Sequence, residues 1–257
     1  MVENNRIEYL EFWATRHCNM GCRGCSSCAP IAEPWFLSED SLSRDLRRLV
    51  DIGLSVGCFA VLGGEPLLHP NLLGLFRCVR RHFPRAQLGL ITNGVLLPQQ
   101  DSMFLRFCRE NAVKINVTLF PVMSEMQCER IRQLLTSWGI EYRLTVKRFF
   151  NKILTLDRSS PLEAVRRACG CKGACNLHEG YVSRCTVPMV VGTLNRRYGC
   201  GFVETGRLCI GEASADEIVR FLKTPNDSCR NCSAHPVKVP WSLADACPEV
   251  KDWIVGE

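Results

Sequence analysis

Strand-like and helix-like segments alternate along the first 146 residues of this chain. Continuous apolar runs at residues 7–15 and 56–62 predict buried strands, and apolar residues at helical spacing after Ser38 and Asn71 predict helices that follow them. Further strands are predicted at residues 87–92, 114–119 and 141–146. Repeated βα units build a parallel sheet, and right-handed crossovers curl it. The sequence therefore predicts an α/β fold with a partial (β/α) barrel over residues 1–150.

The cysteine content rises where this alternation stops. Nine of the 17 cysteines lie between Cys169 and Cys247, and residues 151–257 are predicted to form a small cysteine-rich domain. The chain shows no secretory signal and no apolar run of about 18 residues, so we expect no membrane span. We expect a cytoplasmic protein whose thiols serve as metal ligands, because disulfides are rare in a reducing compartment.

The first cysteine motif directly follows the first predicted strand. Cys18, Cys22 and Cys25 form a C-x3-C-x2-C loop, and loops after barrel strands face the mouth where α/β enzymes place their chemistry. Three thiolates can hold a [4Fe–4S] cluster and leave one iron open to a further ligand. Zinc is the alternative, because Cys28 supplies a fourth thiol at a CxxC interval.

The second motif, Gly63-Gly64-Glu65-Pro66, follows the second predicted strand. Paired glycines let the backbone approach a ligand closely, and the carboxylate of Glu65 can accept a hydrogen bond from an ammonium group. Such a site suits the amino-acid end of S-adenosylmethionine. The two motifs in this order, about forty residues apart, resemble the radical SAM superfamily.

This resemblance implies a [4Fe–4S] cluster on Cys18, Cys22 and Cys25 with S-adenosylmethionine bound to its open iron. Reductive cleavage of the cosubstrate gives a 5′-deoxyadenosyl radical, which takes a hydrogen atom from the substrate. The protein orients the radical and keeps water away from it.

The resemblance also implies which residues hold the cosubstrate. Gly63, Gly64 and Glu65 are expected at its methionine end. Asn93 and Thr118, on the third and fourth strands, are expected to contact its methionyl or ribose part, although Thr-Asn-Gly is also ordinary turn chemistry. One position departs from the family pattern, because a small residue, Gly24, precedes the third cysteine. Adenine packing is therefore expected from Phe12, Trp13 or Trp35.

A second thiol set follows in the cysteine-rich half. The pattern Cys169-x10-Gly180-x4-Cys185 predicts a hairpin that turns at Gly180 and brings two thiols together, and Cys229 and Cys232 form a CxxC pair. The combination resembles the SPASM or twitch module, which implies an auxiliary [4Fe–4S] cluster. Zinc, or spare thiols without metal, is the alternative. The expected ligands are Cys169, Cys185, Cys229 and Cys232, with Cys175 as the competing candidate and Cys171 in the same turn.

The layout of a short barrel followed by a twitch module resembles aminocyclitol dehydrogenases and aminoglycoside epimerases of antibiotic pathways. It implies hydrogen abstraction from a hydroxylated small molecule, an amino sugar or aminocyclitol. In dehydrogenation the auxiliary cluster accepts an electron. In epimerisation a thiol returns a hydrogen atom, and Cys247 is the catalytic candidate because it lies outside both ligand sets, although a structural thiol is the other interpretation.

Two other function classes remain open. The first is a radical SAM maturase that cross-links or epimerises a ribosomal peptide. Such maturases usually carry a leader-binding domain, and we expect none here because the cysteine loop begins at residue 18. The second is a zinc-binding interaction module, which leaves the Gly63-Gly64-Glu65 motif unexplained.

Charge bears on partners rather than on fold. The formal net charge is +6, with arginines spread over predicted helices, which does not favour a nucleic-acid partner. A mildly basic surface suits docking of an acidic electron donor of the flavodoxin or ferredoxin type.

Overall fold

The computed structural model describes residues 5–171, 173–244 and 248–256. The strands are β1 (Arg6–Thr15), β2 (Ser55–Gly63), β3 (Gln87–Thr92), β4 (Lys114–Leu119), β5 (Tyr142–Val146), β6 (Phe149–Leu154), β7 (Cys175–His178), β8 (Tyr181–Ser183), β9 (Arg207–Cys209) and β10 (Cys232–Pro240). The α-helices are α1 (Glu39–Asp51), α2 (Leu72–His82), α3 (Ser102–Glu110), α4 (Glu125–Ser137), α5 (Leu162–Ala168), α6 (Val187–Tyr198) and α7 (Ala215–Lys223).

Eight strands form one sheet in the order β5-β4-β3-β2-β1-β7-β8-β9. Strands β1 to β5 and β7 run parallel, whereas β8 and β9 continue the sheet in antiparallel fashion. Within the part of the chain that the structure describes, the outer strands β5 and β9 do not pair with each other. The predicted α/β partial barrel is confirmed, as an open and mostly parallel sheet.

The two faces of β1 serve different parts of the molecule. Leu10, Phe12 and Ala14 are buried in the main apolar core, which also contains the buried faces of α1 and α2. Trp13 points to the other face and joins a second apolar cluster formed with α6 and Trp253. This alternation follows from the period of two in a strand, and it places Trp13 on the face opposite Phe12.

The predicted domain division at residue 150 does not coincide with a division of the main sheet. Strand β7 lies parallel to β1, with Leu10 opposite Cys175, so the second half of the chain extends the sheet of the first half. A strand edge exposes unpaired N–H and C=O groups. One edge of β1 pairs with β2, and β7 pairs with the backbone groups of its other edge. In the described part of the chain, β6 and β10 form a separate two-stranded sheet, and β6 was not predicted.

The predicted hairpin is present as β7 and β8. Its turn residues Glu179 and Gly180 both have positive φ, as a two-residue hairpin turn requires. Among the described residues, no helix combines the length and the apolarity needed to cross a membrane.

Candidate active site

Three thiols of the loop after β1 face one cavity. Cys18, Cys22 and Cys25 line a space of about 350 Å³ at the carboxyl ends of strands β1 to β5. The same cavity is lined by Gly63 and Gly64 at the end of β2. Its lining also includes Trp13, Met20, Leu62, Ile91, Thr92, Asn93, Thr118, Phe120, Thr145, Lys147, Phe150 and Thr186. The topology therefore brings the two sequence motifs together.

Cys28 does not join this set. It is fully buried and lies in the second apolar cluster, and no fourth thiol of the described residues lines the cavity. A structural zinc site needs four ligands around one ion, and Cys28 does not supply the fourth thiol at this cavity. The donor set of three thiols fits a cluster with one open iron better than it fits zinc.

Two of the three thiols have hydrogen-bonding partners within the loop. The backbone N–H of Met20 donates to the sulfur of Cys18 at 3.4 Å, and the Ser27 hydroxyl lies 3.2 Å from the sulfur of Cys25. Burial raises the pKa of Cys18 to about 12 and that of Cys22 to about 11. Both thiols are therefore protonated at neutral pH, and metal binding has to release their protons.

Trp241, after β10, approaches the remaining thiol. Its indole N–H is buried and has no acceptor at ordinary hydrogen-bond distance among the described residues. The indole N–H nevertheless acts on the Cys22 thiol, where it opposes the rise in pKa caused by burial. The Trp241 ring stacks on Phe120, whose centroid is 5.2 Å away and which lines the cavity.

The two glycines after β2 are needed because another backbone crosses them. A Cβ on Gly63 would collide with the carbonyl oxygen of Thr15, and a Cβ on Gly64 would collide with that of His17. The N–H of Gly64 donates to the Thr15 oxygen at 2.8 Å, and the N–H of Glu65 donates to the His17 oxygen at 2.7 Å. The glycines therefore fix the start of the cysteine loop against β2, in addition to lining the cavity.

Glu65 has a different role from the predicted one. Its side chain is fully buried and is not part of the cavity lining, so it does not offer a carboxylate to an ammonium group there. Instead, its oxygens accept hydrogen bonds from the hydroxyl of Thr92 at 2.7 Å and from the backbone N–H groups of Asn93 at 2.8 Å and Leu67 at 3.1 Å. Burial raises the pKa of Glu65, and these hydrogen bonds oppose the rise. The carboxylate thus joins the ends of β2 and β3.

Asn93 and Thr118 both line the cavity, as predicted for side chains at the ends of β3 and β4. The Asn93 amide donates to the Asn19 side-chain oxygen at 2.7 Å and lies 4.0 Å from the sulfur of Cys18. Sequence analysis missed Thr145 and Lys147 at the end of β5. The available signal was a threonine at or next to the last position of the third, fourth and fifth predicted strands, namely Thr92, Thr118 and Thr145.

Of the three aromatic residues predicted to pack against adenine, the structure places only Trp13 in the cavity lining. Phe12 lies in the main core, and Trp35 donates to Glu179 at 3.2 Å. Phe120 and Phe150 line the cavity instead and were not predicted.

The far end of the chain braces the cysteine loop. The indole of Trp253 donates to the carbonyl oxygen of Cys25 at 2.8 Å, and a Cβ on Gly24 would lie 2.6 Å from the carbonyl oxygen of Asp252. Leu243 forms an antiparallel bridge with Cys22. Gly24 therefore departs from the bulky family pattern because the chain end occupies the space beside it.

The second thiol set lines a separate small cavity of about 40 Å³. All four preferred candidates contribute to its lining, and Cys171 joins them. The candidate Cys175 does not, because it lies on β7 in the main sheet and faces another pocket, beside Tyr9 and Arg184. Its inclusion among the metal ligands is corrected on this ground, since spacing alone could not show that β7 begins at Cys175. The thiols that share the cavity are Cys169, Cys171, Cys185, Cys229 and Cys232.

The other cysteines of the described residues fall outside both cavities. Cys247, the predicted hydrogen donor, lies outside the described residues. Cys78 and Cys108 are fully buried in the main core, as expected of small apolar side chains, and Cys128 packs against that core.

Comparison with known proteins agrees with this site. Residues 14–135 match the family model described as the Radical SAM superfamily. A GTP 3′,8-cyclase of Trichodesmium erythraeum is 32% identical over 119 residues, which cover 45% of this chain and 35% of the relative. The same enzyme of Streptomyces coelicolor is 39% identical over 85 residues, which cover 32% of this chain and 24% of the relative. The chain thus spans about a third or less of the length of these relatives.

Among solved structures, that of BtrN in complex with AdoMet and 2-DOIA has a TM-score of 0.59 and 16% identity, and the match covers 97% of this chain and 98% of that one. At this identity the likeness concerns the fold. The motif order and the three-thiol cavity agree with the match of residues 14–135 to the Radical SAM superfamily.

Proposed function

We propose that this protein cleaves S-adenosylmethionine reductively and abstracts a hydrogen atom from a hydroxylated small molecule, which it oxidises or epimerises. One observation carries the proposal. A single cavity at the carboxyl ends of five parallel strands joins three thiols, a glycine pair and a row of polar side chains. Open α/β sheets bind their ligands at this end.

Each part of the cavity has an assigned task in this proposal. Cys18, Cys22 and Cys25 would hold the catalytic [4Fe–4S] cluster, and the backbone of Gly63 and Gly64 would meet the methionine end of the cosubstrate. When bound, the cluster and S-adenosylmethionine supply a 5′-deoxyadenosyl radical. The protein's own contribution is to orient the ligands and to exclude water with apolar walls. An electron donor of the flavodoxin or ferredoxin type would provide the reducing equivalent.

The walls beyond the thiols suit a compact substrate rich in hydroxyl groups. The same cavity of about 350 Å³ also has to hold the cosubstrate, so a small substrate fits it better than a large one. Thr118, Thr145 and Lys147 offer two hydroxyls and one ammonium group to the substrate, and among the described lining residues there is no Asp or Glu. Sugar or cyclitol hydroxyls match this set. The amino group of an amino sugar would have to rely on neutral oxygens such as that of Asn93.

An auxiliary [4Fe–4S] cluster is proposed for the second cavity, with Cys169, Cys185, Cys229 and Cys232 as the first choice of ligands. There it would accept the electron left on the substrate radical after the hydroxyl loses its proton, which makes the net reaction a dehydrogenation. BtrN, whose crystal structure contains AdoMet and 2-DOIA, shares the fold with this protein over almost the whole chain.

The first experiment tests the catalytic thiol set. Anaerobically reconstituted protein is incubated with S-adenosylmethionine and dithionite, and 5′-deoxyadenosine is quantified. Cys22→Ala should abolish its formation. Cys128→Ala is the matched control, because Cys128 lies in α4 away from both cavities and should leave formation intact. Formation of 5′-deoxyadenosine by Cys22→Ala would refute the assignment of the loop.

The second experiment identifies the reaction. The reconstituted enzyme is incubated with aminocyclitols and amino sugars in deuterated buffer, and product masses are measured. Loss of two hydrogens indicates oxidation, and carbon-bound solvent deuterium indicates epimerisation. Turnover of ribosomal precursor peptides, with no change in any carbohydrate, would replace the small-molecule proposal with the peptide-maturase alternative.

A further inference from the structure

The second cavity holds one thiol more than a closed cluster needs. A [4Fe–4S] cluster takes four terminal protein ligands, one for each iron. Five sulfurs line this cavity of about 40 Å³, where only four were expected. The fifth, Cys171, lies two residues after Cys169 on the connection between α5 and β7.

Cys169 and Cys171 face the same partners. Both thiols line the small cavity together with Cys185, Cys229 and Cys232, and a single residue, Gly170, separates them in the chain. Either side chain is therefore placed beside the same three thiols.

The other three thiols have separate supports. Cys185 precedes α6, and Cys232 begins β10, whose ladder with β6 starts opposite Leu154. The Arg184 guanidinium lies 3.8 Å from the sulfur of Cys229, as a donor to it. Each of these three thiols is thus held by a different part of the fold. The fourth ligand position can be occupied by Cys169 or by Cys171, which lie on either side of Gly170.

We propose that Cys169 and Cys171 are interchangeable ligands of the auxiliary cluster, each able to complete the set formed by Cys185, Cys229 and Cys232. The exchange involves no redox change, because the incoming thiol gives up a proton as its iron–sulfur bond forms and the departing thiolate takes one up. This inference rests on the auxiliary cluster of the proposed function. Its consequence is that no iron of that cluster is open to substrate, so the cluster serves electron transfer.

The test counts iron at the second site alone. The parent variant lacks the first thiol set because it combines Cys18→Ala, Cys22→Ala and Cys25→Ala. Four further variants are made in this parent: Cys169→Ala, Cys171→Ala, the two together, and the control Cys209→Ala. The control changes a half-buried thiol on β9 outside the cavity. In buffer free of small thiols, iron and sulfide are measured per chain. Electron paramagnetic resonance after mild oxidation then detects three-iron clusters, which form when an iron lacks a protein ligand.

Each single variant should match the parent and the control in iron content and show no three-iron signal, whereas the double variant should lose iron or show that signal. A three-iron signal in Cys169→Ala alone would overturn the inference, and so would a double variant indistinguishable from the parent. Far-UV circular dichroism and Ser replacements separate loss of iron from loss of the fold. A parent without iron would instead refute the auxiliary cluster itself, and the Cys22→Ala experiment tests the first site independently.

Discussion

The indole Nε1 of Trp253 donates a hydrogen bond to the carbonyl oxygen of Cys25 at 2.8 Å, across a separation of 228 residues. Trp253 is buried in the second apolar cluster together with residues of α6. The third thiol of the loop is thus held by a side chain near the far end of the described chain. Binding of a cluster at this loop therefore depends on tertiary packing as well as on the local cysteine motif.

Replacing Trp253 with Phe should preserve most of the ring packing but remove the N–H donor. A lost hydrogen bond to a partly buried carbonyl costs about 1–2 kcal/mol of unfolding free energy. Urea denaturation should show this loss, and iron content after reconstitution should fall. Trp138→Phe is the control, since Trp138 is half-buried after α4. Equal stability losses in the two variants would contradict the role of the Trp253 donor.

Gly24→Ala should lower the free energy of unfolding by more than the cost of placing alanine at a positive φ. Gly24 has φ of +66°, and its Cβ would lie 2.6 Å from the carbonyl oxygen of Asp252. Gly139 has nearly the same φ, +63°, with nothing within 4 Å of its Cβ position. Both substitutions carry the left-handed penalty of about 1–2 kcal/mol, so only the collision differs between them. Equal midpoints in urea denaturation of the two variants would show that the chain end does not press on the loop.

Trp241→Phe should make the catalytic cluster harder to reduce. Polar N–H groups directed at cluster sulfurs stabilise the more negative, reduced state, and the buried indole N–H of Trp241 acts on the Cys22 thiol. A potentiometric titration followed by electron paramagnetic resonance should give a more negative midpoint than in wild type. Trp138→Phe should leave the midpoint in place. An unchanged reduction midpoint in Trp241→Phe would show that the Trp241 N–H does not affect the cluster.

Glu65→Gln should weaken S-adenosylmethionine binding by about tenfold, which is about 1.4 kcal/mol. Three donors converge on the Glu65 carboxylate, and an amide NH₂ group would oppose at least one of them. The ends of β2 and β3 would then shift relative to the cavity. Equilibrium dialysis with labelled cosubstrate measures the effect, and Glu110→Gln on the surface is the control. Unchanged affinity in Glu65→Gln would indicate that the carboxylate does not position the site.

Glu11 predicts a pH dependence of stability. Burial raises the pKa of Glu11 from 4.5 to about 7, against hydrogen bonds from Tyr9 and Asn176. Between these two values the folded protein holds a proton that the unfolded chain has released, so stability falls as pH rises through this window. The difference amounts to on the order of 3 kcal/mol above pH 7. Glu11→Gln should flatten the pH profile of the urea midpoint, and a profile as steep as that of wild type would contradict this.

Much of the fold followed from local sequence pattern. Strands β3 and β4 have the predicted bounds, because short apolar runs between turn residues leave few alternatives. The ligand candidates were harder to choose. Spacing did not distinguish Cys171 in a loop from Cys175 on a strand, and it did not show that the Glu65 carboxylate turns inward to Thr92. These outcomes depend on which way a side chain faces once distant strands pair.

By itself, the sequence determined the order of the βα units, the three-thiol motif and the glycine pair, since each is encoded within a few consecutive residues. Only the tertiary structure decided that β7 extends the sheet from β1, that Trp253 and Asp252 close over the cysteine loop, and that five thiols meet in the second cavity. The physical reason is that these contacts join residues far apart in the chain. Their free energy comes from packing and hydrogen bonds formed only after folding, which leave no periodic signal in the sequence.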